Sequence, residues 1–123
     1  MNDDPAPQLN LVVLRSENFE HAAEFYRRMG LQLTRHAHGA GPEHYSSEAG
    51  GLVFEIYPLT AKSKPTTGTR IGFRVASVDE VLGTLLPLGV QILQAPADSE
   101  WGRRTVIKDP DGHVVELLSS VSV

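Results

Sequence analysis

An internal repeat constrains the fold of this 123-residue chain more than any other feature of its sequence. With an offset that carries Phe19 onto Val78, the apolar positions of residues 19–33 coincide with those of residues 78–92. With an offset two residues longer, residues 51–56 match residues 112–117, and Glu55 coincides with Glu116. A repeat of about 60 residues is a whole supersecondary block, larger than one unit of many solenoids. The chain is therefore expected to fold as two copies of one module that form a single domain.

The first copy has the pattern of a strand, a helix and three further strands. Residues 9–15 form an apolar run of strand type, and Asn18 is the predicted N-cap of the helix that follows. Gly30 is predicted to end this helix in a left-handed conformation. The apolar residues at helical spacing are Phe19, Ala22, Ala23, Tyr26 and Met29. Short turns join predicted strands at 31–38, 43–47 and 52–57, which favours an antiparallel meander.

The second copy repeats this order. A strand is predicted at 69–75, and Ser77 with Glu80 forms a capping box that opens the second helix. Pro87 is expected to end that helix just before Gly89. A strand at 90–94 and a loop at 95–100 follow, and then a hairpin of strands 101–108 and 113–119 around the turn sequence Asp-Pro-Asp-Gly at 109–112.

The predicted fold is α+β, with two tandem βαβββ modules in one domain spanning residues 8–120. Module one covers 8–58, a linker covers 59–67, and module two covers 68–120. Residues 1–7 are predicted to be a disordered lead-in. The linker contains no glycine between residues 58 and 67, so we expect an ordered connection between the modules.

Composition excludes several classes of partner. The chain has 11 basic and 15 acidic side chains, so its formal net charge of −4 argues against nucleic-acid binding. It has no cysteine, which excludes disulfides and thiolate metal sites. No apolar run approaches the roughly 18 residues of a membrane span, and the acidic, polar start is unlike a signal peptide. We expect a cytoplasmic protein with no nucleic-acid or membrane partner.

Charged residues within the predicted strands mark a candidate site. Glu116 lies in a short apolar strand, where a carboxylate is costly unless it is paired, protonated or bound to a metal. Alternation along the strands directs a set of charged side chains away from the helices. The set is Arg15, Glu55, Arg70, Arg74 and Glu116. Either these residues line a ligand site, or they are solvated charges at strand ends.

Four segments form a pattern that extends over most of the chain: LNLVVL at 9–14, FEHAAEFYRRMGL at 19–31, RIGFRVASVDEVLGTLLPLGV at 70–90 and RTVIKDPDGHVVELL at 104–118. In this order and spacing they resemble the vicinal oxygen chelate superfamily, which includes glyoxalase I, extradiol dioxygenases and the bleomycin and fosfomycin resistance proteins. The resemblance implies a curved mixed sheet that forms a cup, and a homodimer, often with exchanged modules.

The resemblance also implies a divalent metal held by the first and last strands of each module. The matching positions are Leu11, Glu55, Arg70 and Glu116. Enzymes of the superfamily usually carry His or Gln where Leu11 and Arg70 stand, so of these four positions only the two glutamates could serve as metal ligands. Two oxygen ligands alone hold most transition metals poorly. Arg70 could instead take the electrostatic place of the metal, because a guanidinium can bridge carboxylates.

Three functional hypotheses follow. The first is a metal-free, cofactor-free protein that binds a small organic, polar or anionic ligand in the cup. The candidate ligand-binding residues are Leu11, Arg15, Tyr57, Arg70, Arg74 and Trp101. The second is a lyase or dioxygenase of the glyoxalase type with Zn, Ni, Mn or Fe on Glu55 and Glu116. The third is a metal-free enzyme in which Glu55 or Glu116 is the general base.

Four histidines are candidate substitute metal ligands, since imidazole suits most of these metals. They are His36, His38, His44 and His113. Trp101 could line the mouth of the cup or cover the apolar edge of the last hairpin, and Tyr57 could face the ligand or simply be packed.

Overall fold

Each half of the chain forms one four-stranded sheet and one helix. The computed structural model describes residues 3–37 and 39–121. Module one contains β1 (Leu11–Ser16), α1 (Phe19–Met29), β2 (Thr34–His36), β3 (His44–Ala49) and β4 (Leu52–Pro58). Module two contains β5 (Arg70–Arg74), α2 (Val78–Leu85), a 3-10 turn (Leu86–Leu88), β6 (Gln91–Ser99), β7 (Gly102–Lys108) and β8 (Val114–Ser119).

The two sheets have the same topology. Their strand orders are β1-β4-β3-β2 and β5-β8-β7-β6. The first and last strands of each module pair in parallel, and the other neighbours pair antiparallel. The register also repeats, because Val13 lies opposite Glu55 and Gly72 lies opposite Glu116. The predicted α+β fold of two tandem βαβββ modules is confirmed.

The helix ends follow the predicted signals. The Asn18 side chain accepts a hydrogen bond from the backbone N–H of His21 at 3.1 Å, and Gly30 ends α1 with φ 117°. In module two the Ser77 hydroxyl accepts from the backbone N–H of Glu80 at 3.2 Å. Helix α2 ends at Leu85, where the chain tightens into the 3-10 turn that contains Pro87.

Two predicted strand boundaries are wrong. Strand β2 is limited to Thr34–His36, because its pairing with β3 covers only these three residues. Leu31 and Leu33 precede the strand and pack into the core. The predicted end of this strand at His38 lies outside the described residues. The predicted loop at 95–100 instead belongs to β6, which runs on to Ser99. Proline is tolerated there because β6 is an edge strand, and its pairing with β7 shifts register twice.

The modules share one apolar core. Tyr26 of α1 lies 4.9 Å from Phe54 of β4, and Phe54 meets Phe73 of β5 edge to face at 5.7 Å (distances between ring centroids). The helices also touch, since the Thr84 hydroxyl of α2 donates to the backbone carbonyl of Arg28 in α1 at 2.9 Å. Contacts of this kind fix the orientation of one sheet relative to the other.

A buried polar network joins four segments of the chain. The Tyr26 hydroxyl and the His113 Nδ1–H both donate to Oδ2 of Asp109, each at 2.7 Å. His113 Nε2 lies 2.6 Å from Oγ1 of Thr66 in the linker, and that oxygen accepts from the backbone N–H of Arg15 at 2.9 Å. Burial, followed by the nearby Asp109 carboxylate, raises the pKa of Tyr26 well above its usual value.

The lengths of the helices bear on the membrane question. Within residues 3–37 and 39–121, no helix combines the length and the apolar character that a membrane crossing requires.

Candidate functional site

The cup face of each sheet is the face turned away from its own helix. Phe54 and Ile56 of β4 are buried against the core, as are Val115 and Leu117 of β8, so their alternate neighbours lie on the opposite face. The cup face of module one carries Leu11, Val13, Arg15, Val53, Glu55 and Tyr57. The cup face of module two carries Arg70, Gly72, Arg74, Val114, Glu116 and Leu118.

A cavity of about 530 Å³ lies on the cup face of module two. Its lining comes from β5, β7, β8 and the turn between β6 and β7, and consists of Arg70, Gly72, Phe73, Arg74, Trp101, Arg104, Glu116 and Leu118. Trp101 is 69% exposed as a residue, and it adds a large aromatic side chain beside the charged groups. The volume falls in the range of small-molecule sites, about 300–1,000 Å³.

The charges in this cavity are unbalanced. Three guanidinium groups face one carboxylate, Glu116. Glu116 Oε1 accepts a hydrogen bond from Nε of Arg104 and lies 3.9 Å from Nη2 of Arg70. Nη1 of Arg104 also donates to Oε1 of Gln94 at 2.7 Å. By contrast, Arg74 makes no hydrogen bond or ion pair with any residue of the described ranges, so its donors are available to a ligand.

Part of the corresponding face of module one is filled by stacked side chains. His44 is 1% exposed, and its ring stacks on Tyr57 with centroids 4.3 Å apart. His44 Nε2 lies 3.3 Å from Oε2 of Glu55. Arg15 lies over the ring of Tyr57, with its guanidinium 5.0 Å from the ring centre. The same guanidinium donates a hydrogen bond to the Pro58 carbonyl at 3.4 Å.

The repeat makes these two faces directly comparable. Residues that hold equivalent register positions differ in size and charge between the modules. The pairs are Leu11 with Arg70, Val13 with Gly72, His44 with Arg104, and Tyr57 with Leu118. Module two therefore carries more positive charge at these positions, in Arg70 and Arg104, and smaller side chains at two of them, Gly72 and Leu118.

A larger depression, of 660 Å³, lacks this convergence of elements. It lies on the outside of α1, and its lining residues all come from that helix and its N-cap, Asn18. A binding site is typically concave, with polar groups that converge from several elements. The cavity of module two is the stronger candidate on that criterion.

The structure brings together half of the predicted ligand-contacting residues. Arg70, Arg74, Trp101 and Glu116 line one cavity. The remaining predicted residues lie on the other sheet, on the cup face of module one: Leu11, Arg15, Glu55 and Tyr57. The five charged residues predicted to share one face are therefore divided between two sheets of a single chain.

Sequence reasoning missed the most direct partner of Glu116. Arg104, rather than Arg70, makes the hydrogen bond to the carboxylate, and the pair is diagonal across β7 and β8. Alternation along β7 places Arg104, Val106 and Lys108 on one face, so this signal could have directed attention to Arg104. The sequence predicts His44 only as a candidate metal ligand, whereas the structure places it beside Glu55.

Metal-ligating groups also occur at the turn before β8. Among the described residues, Asp109, Asp111 and His113 offer ligand atoms that lie within 4.8 Å of one another. The carboxylate of Asp109 is already used, because Oδ1 accepts from the backbone N–H groups of Asp111 and His113, each at 2.9 Å. Its other oxygen holds Tyr26 and His113. These contacts organise the turn and fasten it to α1.

The sequence profile of the Glyoxalase/Bleomycin resistance protein/Dioxygenase superfamily matches residues 8–117, and the chain belongs to this superfamily. A relative described as an uncharacterized protein, from Mycolicibacterium smegmatis (strain ATCC 700084 / mc(2)155), is 29% identical over 113 residues. That match covers 91% of this chain and 93% of the relative.

Solved structures share the fold. TnmS3, described as an antibiotic binding protein from Streptomyces sp. CB03234, superposes with a TM-score of 0.71 at 23% identity, covering 94% of this chain and 97% of that one. A glyoxalase/bleomycin resistance protein/dioxygenase family enzyme from Burkholderia phytofirmans PsJN gives a TM-score of 0.73 at 14% identity, covering 94% and 100%. At these identities the likeness extends to the fold alone, so the function must be argued from the site.

Proposed function

We propose that this protein binds a small organic anion with an aromatic or otherwise flat body, and that the cavity of module two is its principal contact surface. The observation that carries this proposal is the excess of guanidinium groups in that cavity, with Arg74 lacking a partner within the described part of the chain. Guanidinium groups bind carboxylates and related acids through paired N–H donors. Trp101 offers a face on which a flat ligand can stack.

The superfamily context supports a binding role for a small molecule. TnmS3, which has the same fold, is described as an antibiotic binding protein. Enzymes also occur among proteins with this fold, as the protein from Burkholderia phytofirmans PsJN illustrates. The distinction for this chain depends on its own residues.

The residues at the four metal positions favour a site without the metal of the superfamily's enzymes. They supply two carboxylates, the alkyl side chain of Leu11 and the guanidinium of Arg70. Leu11 has no donor atom, and the charge of Arg70 opposes a second cation. Glu116 already accepts from Arg104, so a metal would have to displace that contact. This donor set does not fit a divalent transition metal.

A second copy of the chain would complete the cup. In a single chain, each cup face stands alone, and Leu11 on β1 is 49% exposed. Strands β1 and β5 are edge strands, which proteins generally cover. We propose a homodimer in which the aromatic cup face of module one in one protomer faces the cationic cavity of module two in its partner.

The proposed function is tested with two fluorescent probes that differ in charge. Anilinonaphthalene sulfonate is a flat aromatic anion, and N-phenylnaphthylamine is the same body without the sulfonate. We expect wild type to bind the sulfonate more tightly. Arg74→Gln should weaken sulfonate binding about tenfold, which is about 1.4 kcal/mol and close to the lower end for a charged hydrogen bond. Binding of the neutral probe should change less than about twofold on the same scale.

Arg28→Gln is the matched control, because Arg28 lies on the outside of α1 and pairs with Glu24. Its binding of both probes should equal that of wild type. Equal losses of sulfonate affinity in the two variants would show a response to net charge alone, and the proposed site would then be wrong.

A further inference from the structure

Glu116 occupies donors that a ligand anion would use. Its Oε1 is hydrogen-bonded to Nε of Arg104 and lies 3.9 Å from Nη2 of Arg70. The pair is partly shielded from water, with side-chain exposures of 30% for Glu116 and 23% for Arg104. Two of the three guanidinium groups of the cavity therefore already face a carboxylate of the protein itself.

The open space of the cavity adjoins this carboxylate. Gly72 leaves room between Arg70 and Arg74, which lie two residues to either side of it on the same strand face. A Cβ added at Gly72 would come 3.9 Å from Oε2 of Glu116, with no closer contact. An acid group that sits over Gly72 to reach Arg74 would therefore lie beside a second negative charge, and like charges at short range repel.

We infer that Glu116 acts as an internal anion that competes with the ligand and sets the cavity's selectivity. It holds Arg104 and Arg70 in place in the free protein, and it lowers the affinity for anionic ligands. This inference rests on the proposed function, since it assumes that the cavity takes an anion. The inference predicts that removing the charge of Glu116 strengthens the binding of an anionic ligand. A role of Glu116 in metal binding or as a general base does not predict this gain in affinity.

The experiment compares Glu116→Gln with wild type, using the same two probes. Glutamine keeps the size of the side chain and one oxygen acceptor for Arg104, and it removes the negative charge. We expect sulfonate affinity to rise about tenfold, the order expected for removing a like charge several ångströms away in a partly solvated site. Affinity for N-phenylnaphthylamine should stay within about twofold, since the neutral body does not sense the charge.

Glu24→Gln is the matched control for net charge, because Glu24 lies on the outside of α1. It should leave both affinities unchanged. Glu116→Ala also removes the carboxylate and should shift sulfonate affinity in the same direction as Glu116→Gln, which keeps the test valid if one variant is unstable.

The outcomes separate the inference from the proposed function. If wild type prefers the sulfonate through Arg74 but Glu116→Gln binds it equally or more weakly, the inference is overturned and the proposed function stands. If wild type does not distinguish the two probes, the proposed anion site fails and the inference falls with it. Tighter sulfonate binding in Glu116→Gln, with the neutral probe unaffected, supports both.

Discussion

The buried hydroxyl of Tyr26 gives the sharpest test of how the modules are held together. It donates to Oδ2 of Asp109 at 2.7 Å, and this contact links α1 of module one to the turn before β8 of module two. Tyr26→Phe removes the donor and leaves a buried carboxylate with one partner fewer. A hydrogen bond to a charged group contributes about 1.5–3 kcal/mol, so we expect the free energy of unfolding to fall by about 2 kcal/mol.

The assay is urea unfolding followed by circular dichroism. The midpoint should fall and the slope m should remain unchanged, because the surface exposed on unfolding is the same. Tyr45→Phe is a matched control, since the Tyr45 hydroxyl donates to the exposed carboxylate of Glu20 at 2.6 Å. That change should cost less than about 1 kcal/mol. Equal losses of unfolding free energy in the two variants would refute the conclusion that the buried Tyr26–Asp109 hydrogen bond stabilises the fold more than an exposed one.

The same contact predicts a loss of stability at high pH. Burial and Asp109 raise the pKa of Tyr26 well above its usual value of about 10, while the unfolded chain ionises near that value. The stabilisation is therefore complete below about pH 10 and is lost as the pH rises toward the folded pKa, at about 1.4 kcal/mol per pH unit from this group. Tyr26→Phe should lack this component, and an identical alkaline slope in both proteins would contradict the assignment.

Two further predictions concern the cavity. Gly72→Val gives module two the residue that stands at the equivalent position of module one, Val13. It should weaken binding of both fluorescent probes, because the new side chain fills the floor of the cavity. The nearest contact of the new Cβ is 3.9 Å, so we expect the urea midpoint to change little. Wild type incubated with Mn, Fe, Ni or Zn and then desalted should retain far less than one metal ion per chain, as measured by elemental analysis, whereas stoichiometric metal that is lost in Glu116→Ala would revive the metal-dependent enzyme.

The fold could be predicted because its signals are local and occur twice. Asn18 and Ser77 each precede an apolar helical stripe, and both cap a helix as expected. The predicted strand at 90–94 is shorter than β6, because β6 is an edge strand whose residues are mostly exposed. Such a strand has no apolar alternation to detect, and a proline such as Pro96 is more typical of a loop or an edge than of a central strand.

The site was only partly predictable, for a different reason. Alternation placed Glu116, Arg70 and Arg74 on one face without knowledge of the fold's three-dimensional pairing. The contact between Glu116 and Arg104 depends on the register of β7 against β8, which is set by the turn and by packing rather than by either strand alone. The stacking of His44 on Tyr57 depends on register in the same way.

The chain's single tryptophan allows the proposed site to be located directly. We would record nuclear magnetic resonance spectra of the Trp101 indole N–H and of the arginine Nε–H groups while anilinonaphthalene sulfonate is added. Arg74 and Arg104 are assigned by the loss of their signals in Arg74→Gln and Arg104→Gln. We expect the largest shifts at Trp101, Arg74 and Arg104, and we expect N-phenylnaphthylamine to move the indole signal alone. Shifts confined to the arginines of α1, or to Arg15 with no change at Trp101, would contradict an anion site in the cavity of module two.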